Sequence, residues 1–491
     1  MKNSTVKTLI VFATVSFAFT AAKTVARADG SMVTKAPPAA AATNTPATCD
    51  SFWNFISTSC PLTWYGITVY GTIDTGVTWQ SHTAGFNRLS SFGVNYLIQK
   101  NSSRSLWLPG ANGLSQSNIG IKGVEPIWDS GWNFIFNLQA DFDPYSLRLI
   151  NGPHSVFQEV GTPLNRQTAI ADSSRQGQIY NGIGYAGVSS PTWGTLTVFR
   201  QYALTNDAIA TYDPMGGSYA FSVLGFSGTT CGVGDTEDCR YTTSAKYRVN
   251  IGQFRLGALW QFGGYDQGNA AEGAYQVQVG ADIHGLAGGT LSLDAIGSFV
   301  KDAVSIGLSG NPVVNGVPVP PFLPQVLTAT ISDDTGVMLL GKYVNGPLKL
   351  YAGYEWIQFA PPSGTPVPFT DISGDFVSTL NTTAFNFHDK VLQVFWTGVG
   401  YAVTKNVTVV GAFYHYDQNS FGGGASSGCG TNAFSTCSGT QDAVSAMVDW
   451  QFAAKFDAYG GLMWSQVDGG LANGFLRRNN IDPTVGVRFR F

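Results

Sequence analysis

The sequence of 491 residues predicts an all-β fold, a 16-stranded antiparallel transmembrane β-barrel around a wet interior. Three observations predict this fold. Apolar and polar residues alternate through segments of about ten residues, the connections between these segments are alternately short and long, and charged residues are scarce although the chain is not hydrophobic on average.

Composition excludes several classes of protein. Charged residues make up 12% of the chain, about half the usual quarter, while the mean hydropathy is only +0.04. After the first 28 residues no apolar run is as long as a membrane helix needs, which is about 18 residues. A hydrophobic content of 44% excludes a disordered chain. No run of Lys and Arg indicates nucleic-acid binding.

The alternation gives each predicted strand one apolar face and one polar face. In segment 132–139 every second residue is aromatic or aliphatic, and the residues between are mostly amides. In segment 485–491 Val and Phe alternate with Gly and Arg. A barrel of sixteen strands is too wide for side chains to fill, so its polar face should line water.

Aromatic residues collect at the predicted strand ends, as they do in the girdles of membrane barrels; the alternative is that they fill an ordinary core. These residues are Trp64, Tyr65, Trp79, Trp107, Trp128, Trp132, Trp193 and Tyr202.

The connections predict the number of strands. Seven short turns lie near 129–131, 190–191, 251–252, 284–289, 345–347, 404–406 and 453–455. Eight long loops lie near 82–112, 143–177, 203–238, 264–273, 301–332, 360–386, 418–440 and 468–480. Together they join sixteen strands, with short turns at one end and long loops at the other.

The N-terminal region predicts export. Lys2 and Lys7 precede an apolar stretch, and a small-residue cleavage site follows, so residues 1–28 are expected to be a signal peptide. This segment holds four of the 27 basic residues and no acidic one, which leaves 23 basic against 31 acidic residues, a net charge of −8. Residues 29–62 are predicted to be an Ala/Pro/Thr-rich periplasmic tether, and residues 63–491 the barrel pore.

Six cysteines fall into three near-neighbour pairs: Cys49 with Cys60, Cys231 with Cys239, and Cys429 with Cys437. In an exported chain an even number of cysteines predicts disulfides, here three local ones. A metal site is the alternative, but no CxxC motif and no His at ligand spacing accompanies the pairs. We therefore expect neither a metal nor a cofactor.

Six segments in order resemble the trimeric general porins of Gram-negative outer membranes. These segments are 69–77, 119–123, 185–188, 193–202, 240–247 and 485–491. The resemblance implies an outer-membrane location in contact with lipid, a homotrimer, and a pore narrowed by an inward-folded third loop. It also implies that the insertion machinery recognises the last strand, which ends in Phe491.

The resemblance further implies a constriction between the third loop, 203–238, and the facing wall. Asp207 and Asp213 are the candidates for its negative side, and Arg240 matches one of the family's wall arginines. Asn118 and Gly182 stand where two further arginines are usual. Other candidates in the polar rows of the wall are Lys122, Asp74, Lys246 and Arg248. The alternative is a solvated lumen residue with no special role or, for Asp74, a structural one.

The alternation also assigns one outward residue. Arg200 shares its parity with Leu196 and Val198, so it is predicted to face outward at a contact between subunits.

These features predict a passive diffusion pore for ions and small hydrophilic solutes. The net charge of −8 and the few wall arginines predict a weak preference for cations. One alternative is a substrate-specific channel for sugars, organic acids or aromatic compounds, since Tyr70 is predicted to face inward; another is an adhesin whose long loops bind partners. No enzyme is expected, because the five His are scattered and neither GxSxG nor HExxH occurs.

Overall fold

A computed structural model describes residues 49–83, 102–147, 149, 179–224, 240–264, 271–308, 313–314, 317–318, 327–364, 380–382, 387–423, 429 and 434–491. The predicted signal peptide, residues 29–48 of the predicted tether, and residues 225–238 of the third loop lie outside these residues. The description concerns one compact unit, Val33–Phe491.

Almost all regular structure in these ranges is β-strand. The strands are β1 (Leu62–Trp64), β2 (Ile67–Thr83), β3 (Arg104–Pro109), β4 (Asn118–Pro126), β5 (Asn133–Asp141), β6 (Gly184–Ser190), β7 (Gly194–Tyr202), β8 (Arg240–Ile251), β9 (Phe254–Gln261), β10 (Gly273–Leu286), β11 (Gly289–Leu308), β12 (Val313–Val314), β13 (Val317–Pro318), β14 (Leu327–Asn345), β15 (Leu348–Ala360), β16 (Leu380–Thr382), β17 (Lys390–Ala402), β18 (Val407–Gln418), β19 (Gly439–Ala453), β20 (Phe456–Gly469), β21 (Asn479–Ile481) and β22 (Thr484–Arg490). Helix α1 spans Phe52–Ser57, helix α2 spans Leu204–Tyr212, and a 3₁₀ turn spans Gly470–Ala472.

The strands close into a ring by antiparallel pairing of neighbours in the chain. The seam joins the two ends: β22 pairs with β20 on one side and with β2 on the other, from Thr72 opposite Arg490 to Thr78 opposite Thr484. Two ring positions consist of two pieces each, because β3 and β4 both pair with β2, and β21 and β22 both pair with β20. The described residues therefore form sixteen ring positions, and the predicted barrel is confirmed.

The short connections lie where the sequence predicted them. Seven described connections, 127–132, 191–193, 252–253, 287–288, 346–347, 403–406 and 454–455, each overlap a predicted turn. Two of the two-residue turns contain a glycine with a positive φ, Gly252 at 60° and Gly346 at 54°. Residues with a side chain rarely adopt this backbone conformation. The described residues of the longer connections lie at the opposite ends of these strands.

The apolar parity of the strands faces outward. Exposed aliphatic and aromatic side chains include Val277, Val279, Leu293, Val337, Leu339, Phe413, Val444, Val485 and Val487. The residues between them, such as Gln276, Asp294 and Tyr414, are buried on the inner side. Within the described part of the chain, no helix is long and apolar enough to span a bilayer.

A disulfide-closed loop covers the seam where the C-terminal strand ends. Cys49 and Cys60 form a disulfide with a Cα–Cα distance of 5.5 Å, and the loop between them contains α1. The Phe55 ring meets the Phe489 and Phe491 rings edge-on, at centroid distances of 6.1 and 6.0 Å. Residues 49–62, the last part of the predicted tether, are therefore folded against the barrel.

Lys455, in the turn between β19 and β20, fixes this loop in place. Its buried Nζ donates to the Cys60 carbonyl oxygen at 2.8 Å and lies 3.7 Å from the centre of the Phe55 ring. The turn that joins β19 to β20 thus holds the disulfide-closed loop against the seam.

Two of the three predicted disulfides are confirmed. The second joins Cys429 and Cys437, also with 5.5 Å between Cα atoms, in the connection between β18 and β19. The third predicted disulfide, between Cys231 and Cys239, is not confirmed, because Cys231 and Cys239 both lie outside the described residues. That pairing stays a prediction.

Replacing Phe55 by Ala should destabilise the barrel by about 1–2 kcal/mol, because two edge-to-face aromatic contacts on the last strand are lost. Urea unfolding of the detergent-solubilised protein measures this loss. The matched control is Phe52→Ala in the same helix, where the side chain is 76% exposed and should matter little. Equal losses in the two variants would contradict the packing role of Phe55.

Candidate functional site

After β7 the chain turns away from the wall and forms α2 and a following coil; we call residues 203–224 the loop-three segment. The Leu204 N–H donates to Gln276 Oε1 of β10 at 2.7 Å. At the other end of α2, Trp396 Nε1 of β17 donates to the Tyr212 carbonyl oxygen at 3.2 Å. The segment thus contacts strands on widely separated parts of the ring.

The loop-three segment packs against an apolar part of the inner wall. Its buried apolar residues include Leu204, Ile209, Phe221 and Leu224. The wall contributes Ile296, Met338, Ile357, Val394, Tyr414 and Met447, from β11, β14, β15, β17, β18 and β19 respectively. The sequence predicted a polar inner face that lines water. These strands instead carry apolar side chains inward, where the loop-three segment takes the place of water.

Asp213, at the end of α2, is bound by this wall. It is 2% exposed, and its carboxylate accepts from Tyr414 Oη at 2.7 Å and from the Gly217 and Met215 N–H groups at 2.8 and 3.3 Å. A buried carboxylate with three donors holds the segment in place. The prediction that Asp213 presents a negative charge to the pore is therefore wrong.

Asp74 of β2 anchors a second inner segment, the insert Gly110–Ser117 between β3 and β4. One carboxylate oxygen accepts from the Leu114 and Ser115 N–H groups at 2.8 Å each, and the other accepts from Tyr459 Oη at 2.6 Å. Because Asp74 is buried and both of its oxygens are used, its role is structural. The constriction role predicted for it is wrong.

The insert and the loop-three segment meet, since the Ala220 N–H donates to the Gly113 carbonyl oxygen at 3.0 Å. Tyr219 Oη also donates to Gln116 Oε1 at 2.8 Å. The two inner segments therefore form one connected structure between β2 and β18.

Polar side chains cover the other part of the inner wall, from β2 to β8, and we call this surface the polar arc. It consists of Tyr70, Lys122, Asn137, Gln139, Asp141, Tyr185, Tyr202, Arg240, Lys246 and Arg248.

Asp207 of α2 joins the loop-three segment to the polar arc. One of its oxygens, Oδ2, lies 2.9 Å from Lys246 Nζ and 2.7 Å from a terminal nitrogen of Arg248, both on β8. The sequence named all three residues as candidates but placed Asp207 opposite Arg240. The structure brings Asp207 together with the two other cations.

Arg240 instead pairs with Asp141, at 2.9 Å, and lies 5.1 Å from the centre of the Tyr202 ring. Gln139 Nε2 also donates to this carboxylate, at 2.7 Å. Sequence reasoning missed Asp141. A usable signal was present, because Asp141 lies on the inward parity of β5, directly across from Asn118.

Asn118 and Lys122 lie on the inward face of β4. The Asn118 amide donates to the Gln116 carbonyl oxygen at 2.9 Å, which ties it to the end of the insert. Lys122 is exposed, with its Nζ 5.0 Å from the centre of the Tyr70 ring. Of these two, only Lys122 carries charge into the lumen.

Arg200 is not on the outer surface. Its side chain donates to the Asn181 carbonyl oxygen at 2.8 and 3.1 Å and to Thr242 Oγ1 at 2.9 Å, and the residue is only 6% exposed. A bulge causes this. The β7–β8 register shifts between Phe199 and Gln201, with the extra residue in β8, and Phe199, at a φ of 86°, turns outward, 58% exposed. The predicted outward position of Arg200 is therefore wrong.

A further charged cluster beside α2 was not predicted. Arg255 of β9 pairs with Asp282 at 2.6 Å and with Asp294 at 2.9 Å, and Tyr212 Oη donates to Asp294. Alternation places all three strand residues inward, but sequence cannot show that they meet at one helix end. In the described part of the chain no group of three or more His, Cys, Asp or Glu could hold a metal ion.

Phe491, the predicted insertion signal, exchanges two backbone hydrogen bonds with Gly71 of β2, both 3.0 Å long. This position at the seam is a structural one, and recognition by the insertion machinery stays a prediction.

The charge state of Asp213 should make the stability of the protein depend on pH. Burial raises the pKa of this carboxyl group, although the hydrogen bond from Tyr414 and the backbone N–H groups lower it. The native state therefore keeps a proton that an unfolded Asp releases near pH 4. The associated stability is present below about pH 4 and is lost as the pH rises through the raised pKa.

Urea unfolding of wild type and of Asp213→Asn in detergent, from about pH 4 to about pH 7, tests this. The amide of the variant carries no charge at any pH. The cost of replacing the protonated carboxyl group by the amide is therefore the same at every pH, and position 213 no longer contributes to the pH dependence of the free energy of unfolding. Wild type should lose more stability than the variant across that range. Parallel pH profiles would contradict the raised pKa.

The sequence matches the family described as Gram-negative porin over residues 30–470. Comparison with curated protein sequences finds no match.

Solved structures with a similar fold include the anion-selective porin from Comamonas acidovorans, 14% identical, covering 87% of this chain and 99% of that chain at a TM-score of 0.52. In-vitro folded OmpT of Vibrio cholerae is 12% identical, covering 88% and 99% at a TM-score of 0.52. Its trimer form is also 12% identical, covering 87% and 99% at 0.51. These likenesses show the fold. The family match spans most of the sequence, so this chain belongs to the Gram-negative porin family and is an outer-membrane channel.

Proposed function

We propose that this porin forms a water-filled pore for passive diffusion of ions and small hydrophilic solutes, with no chemical step. This proposal rests on the division of the inner wall into an apolar part and a polar part. The loop-three segment packs on the apolar strands from β11 to β19, which leaves the polar arc to line the water-filled path. The loop-three segment is accordingly proposed to be the inward-folded third loop, and the path to run along the polar arc beside the contact of Asp207 with Lys246 and Arg248.

Planar-bilayer conductance tests the pore directly. Conductance should rise linearly with solute concentration for general diffusion, and saturate for a substrate-specific channel. A purified, folded protein that gives no conductance would refute the pore.

The assembly is proposed to be a homotrimer in outer-membrane lipid. The exposed apolar band supports contact with lipid, and OmpT of Vibrio cholerae, which shares the fold, has a trimer form. Heat-modifiable migration on a gel together with conductance in steps of three would support the trimer. Single independent steps would contradict it.

The ion preference follows from charges close to the path. The net charge of −8 predicted a weak cation preference, but charges more than about 8 Å away are screened at physiological salt. The described polar arc and the facing α2 carry more positive than negative charge. The cations are Lys122, Arg240, Lys246 and Arg248, and the anions are Asp141 and Asp207. We therefore propose a slight anion preference, the opposite sign to that of the whole chain.

Lys122→Gln should shift the selectivity of the pore toward cations, because it removes an exposed positive charge from the polar arc. Reversal potentials in planar bilayers under a KCl gradient measure this shift. Lys405→Gln is the matched control, since Lys405 lies in the exposed turn between β17 and β18. An unchanged reversal potential for Lys122→Gln would remove this residue from the ion path.

Phe491 is proposed to serve as the signal that the insertion machinery recognises. Deleting it should reduce insertion into the outer membrane more than folding in detergent, since detergent folding needs no recognition. An equal effect on the two measurements would assign Phe491 to strand pairing alone.

A further inference from the structure

We propose that the polar arc contains a binding subsite for small aromatic carboxylates, built from Tyr70, Lys122 and Tyr185. The inference rests on the proposed pore and names a substrate class for it. Lys122, Asn137 and Tyr185 are direct cross-strand partners on β4, β5 and β6, so their side chains form one inward row. Neighbouring strands lie about 4.8 Å apart, a spacing that a single benzene ring with its carboxylate can bridge.

The Tyr70 ring presents a flat face in the neighbouring inward row, which runs across the strands from Tyr70 through Gly120 to Gln139. A Cβ at Gly120, the cross-strand partner of Tyr70, would lie 2.5 Å from Tyr70 Cζ, so the missing side chain lets the ring lie against the wall. Tyr70 Oη donates to Asn137 Oδ1 at 2.5 Å, with Gln139 Oε1 as a second acceptor 3.0 Å away. The ring is thereby oriented before any solute arrives. Fixed aromatic faces favour stacking of another ring.

Positive charge stands directly over this face. Lys122 Nζ lies 5.0 Å from the centre of the Tyr70 ring, and no carboxylate lies within ion-pair distance of it among the residues that the structure describes. Farther along the wall, Lys246 and Arg248 share one carboxylate, that of Asp207. The local charge is therefore positive on both sides of Tyr185, which lies near Asp207 and Arg248.

The oriented Tyr70 ring and the positive charge of Lys122 together favour one chemical class of solute, the aromatic carboxylates. A carboxylate can pair with Lys122 Nζ, while the attached ring stacks on Tyr70 or Tyr185. An aliphatic carboxylate has only the charge contact, and a neutral aromatic has only the ring contact. Because a solute in transit must also leave, binding should be weak and saturable.

Isothermal titration calorimetry of the detergent-purified protein tests the subsite, with benzoate as the probe and with acetate and benzyl alcohol as the two partial ligands. Benzoate should bind saturably, and at least about tenfold more tightly than either partial ligand, since each lacks one contact. Lys122→Gln should weaken benzoate binding about tenfold, whereas the exposed control Lys405→Gln should bind like wild type.

Tyr70→Leu tests the ring contact separately. It should weaken benzoate binding toward the strength of acetate binding, since Tyr185 alone remains to stack, and Lys122→Gln, an exposed substitution that leaves the wall intact, covers the case in which this variant does not fold. Equal binding of benzoate and acetate by wild type, or no saturable binding, would overturn the proposal. Bilayer conductance measured in KCl alone distinguishes failure of the subsite from failure of the pore. A protein that conducts ions but does not bind benzoate would refute the subsite and would still support the pore.

Discussion

Backbone hydrogen bonding at the seam is the constraint on which the rest of this barrel depends. In lipid each strand must find backbone partners within the protein, so a sheet can cross a membrane only when it closes. Here closure requires β22, near the end of the chain, to pair with β2 near its start, across more than 400 residues. The loop Cys49–Cys60 and Lys455 pack against this seam, and their contacts stabilise it where the last strand ends.

Closure of sixteen strands also determines how wide the interior of the barrel is. A ring of sixteen strands encloses more space than wall side chains can fill. The loop-three segment occupies one part of that space and buries an apolar stretch of wall, and Asp213 and Tyr414 hold it there. The strands on the other side carry polar side chains, and it is there that we propose the pore. Packing and permeation are thus divided between two arcs of the same barrel.

The distribution of charge follows from this division. Several acidic residues of the interior, including Asp74 and Asp213, serve as anchors for inner segments and present no charge to the path. Of the cations of the polar arc, Lys122 is exposed, Lys246 and Arg248 are half-buried beside Asp207, and Arg240 pairs with the buried Asp141. The field along the path therefore depends on a few local residues. The anion preference proposed above therefore has the opposite sign to the net charge of the chain.

The sequence by itself determined the strand number, the positions of the short turns, which parity faces lipid, and two disulfides, because alternation and turn chemistry are local properties read along the chain. It also placed Lys122, Arg240 and Lys246 on the inner wall. The partners of these residues were decided by tertiary structure alone: Asp141 for Arg240 and Asp207 for Lys246 lie far away in sequence. The irregular backbone at Phe199, where φ is 86° and the pairing with β8 changes register, reversed the expected position of Arg200, since alternation holds only along regular extended strand. Contacts across the lumen depend on how a loop crosses it, and no periodic pattern encodes that path.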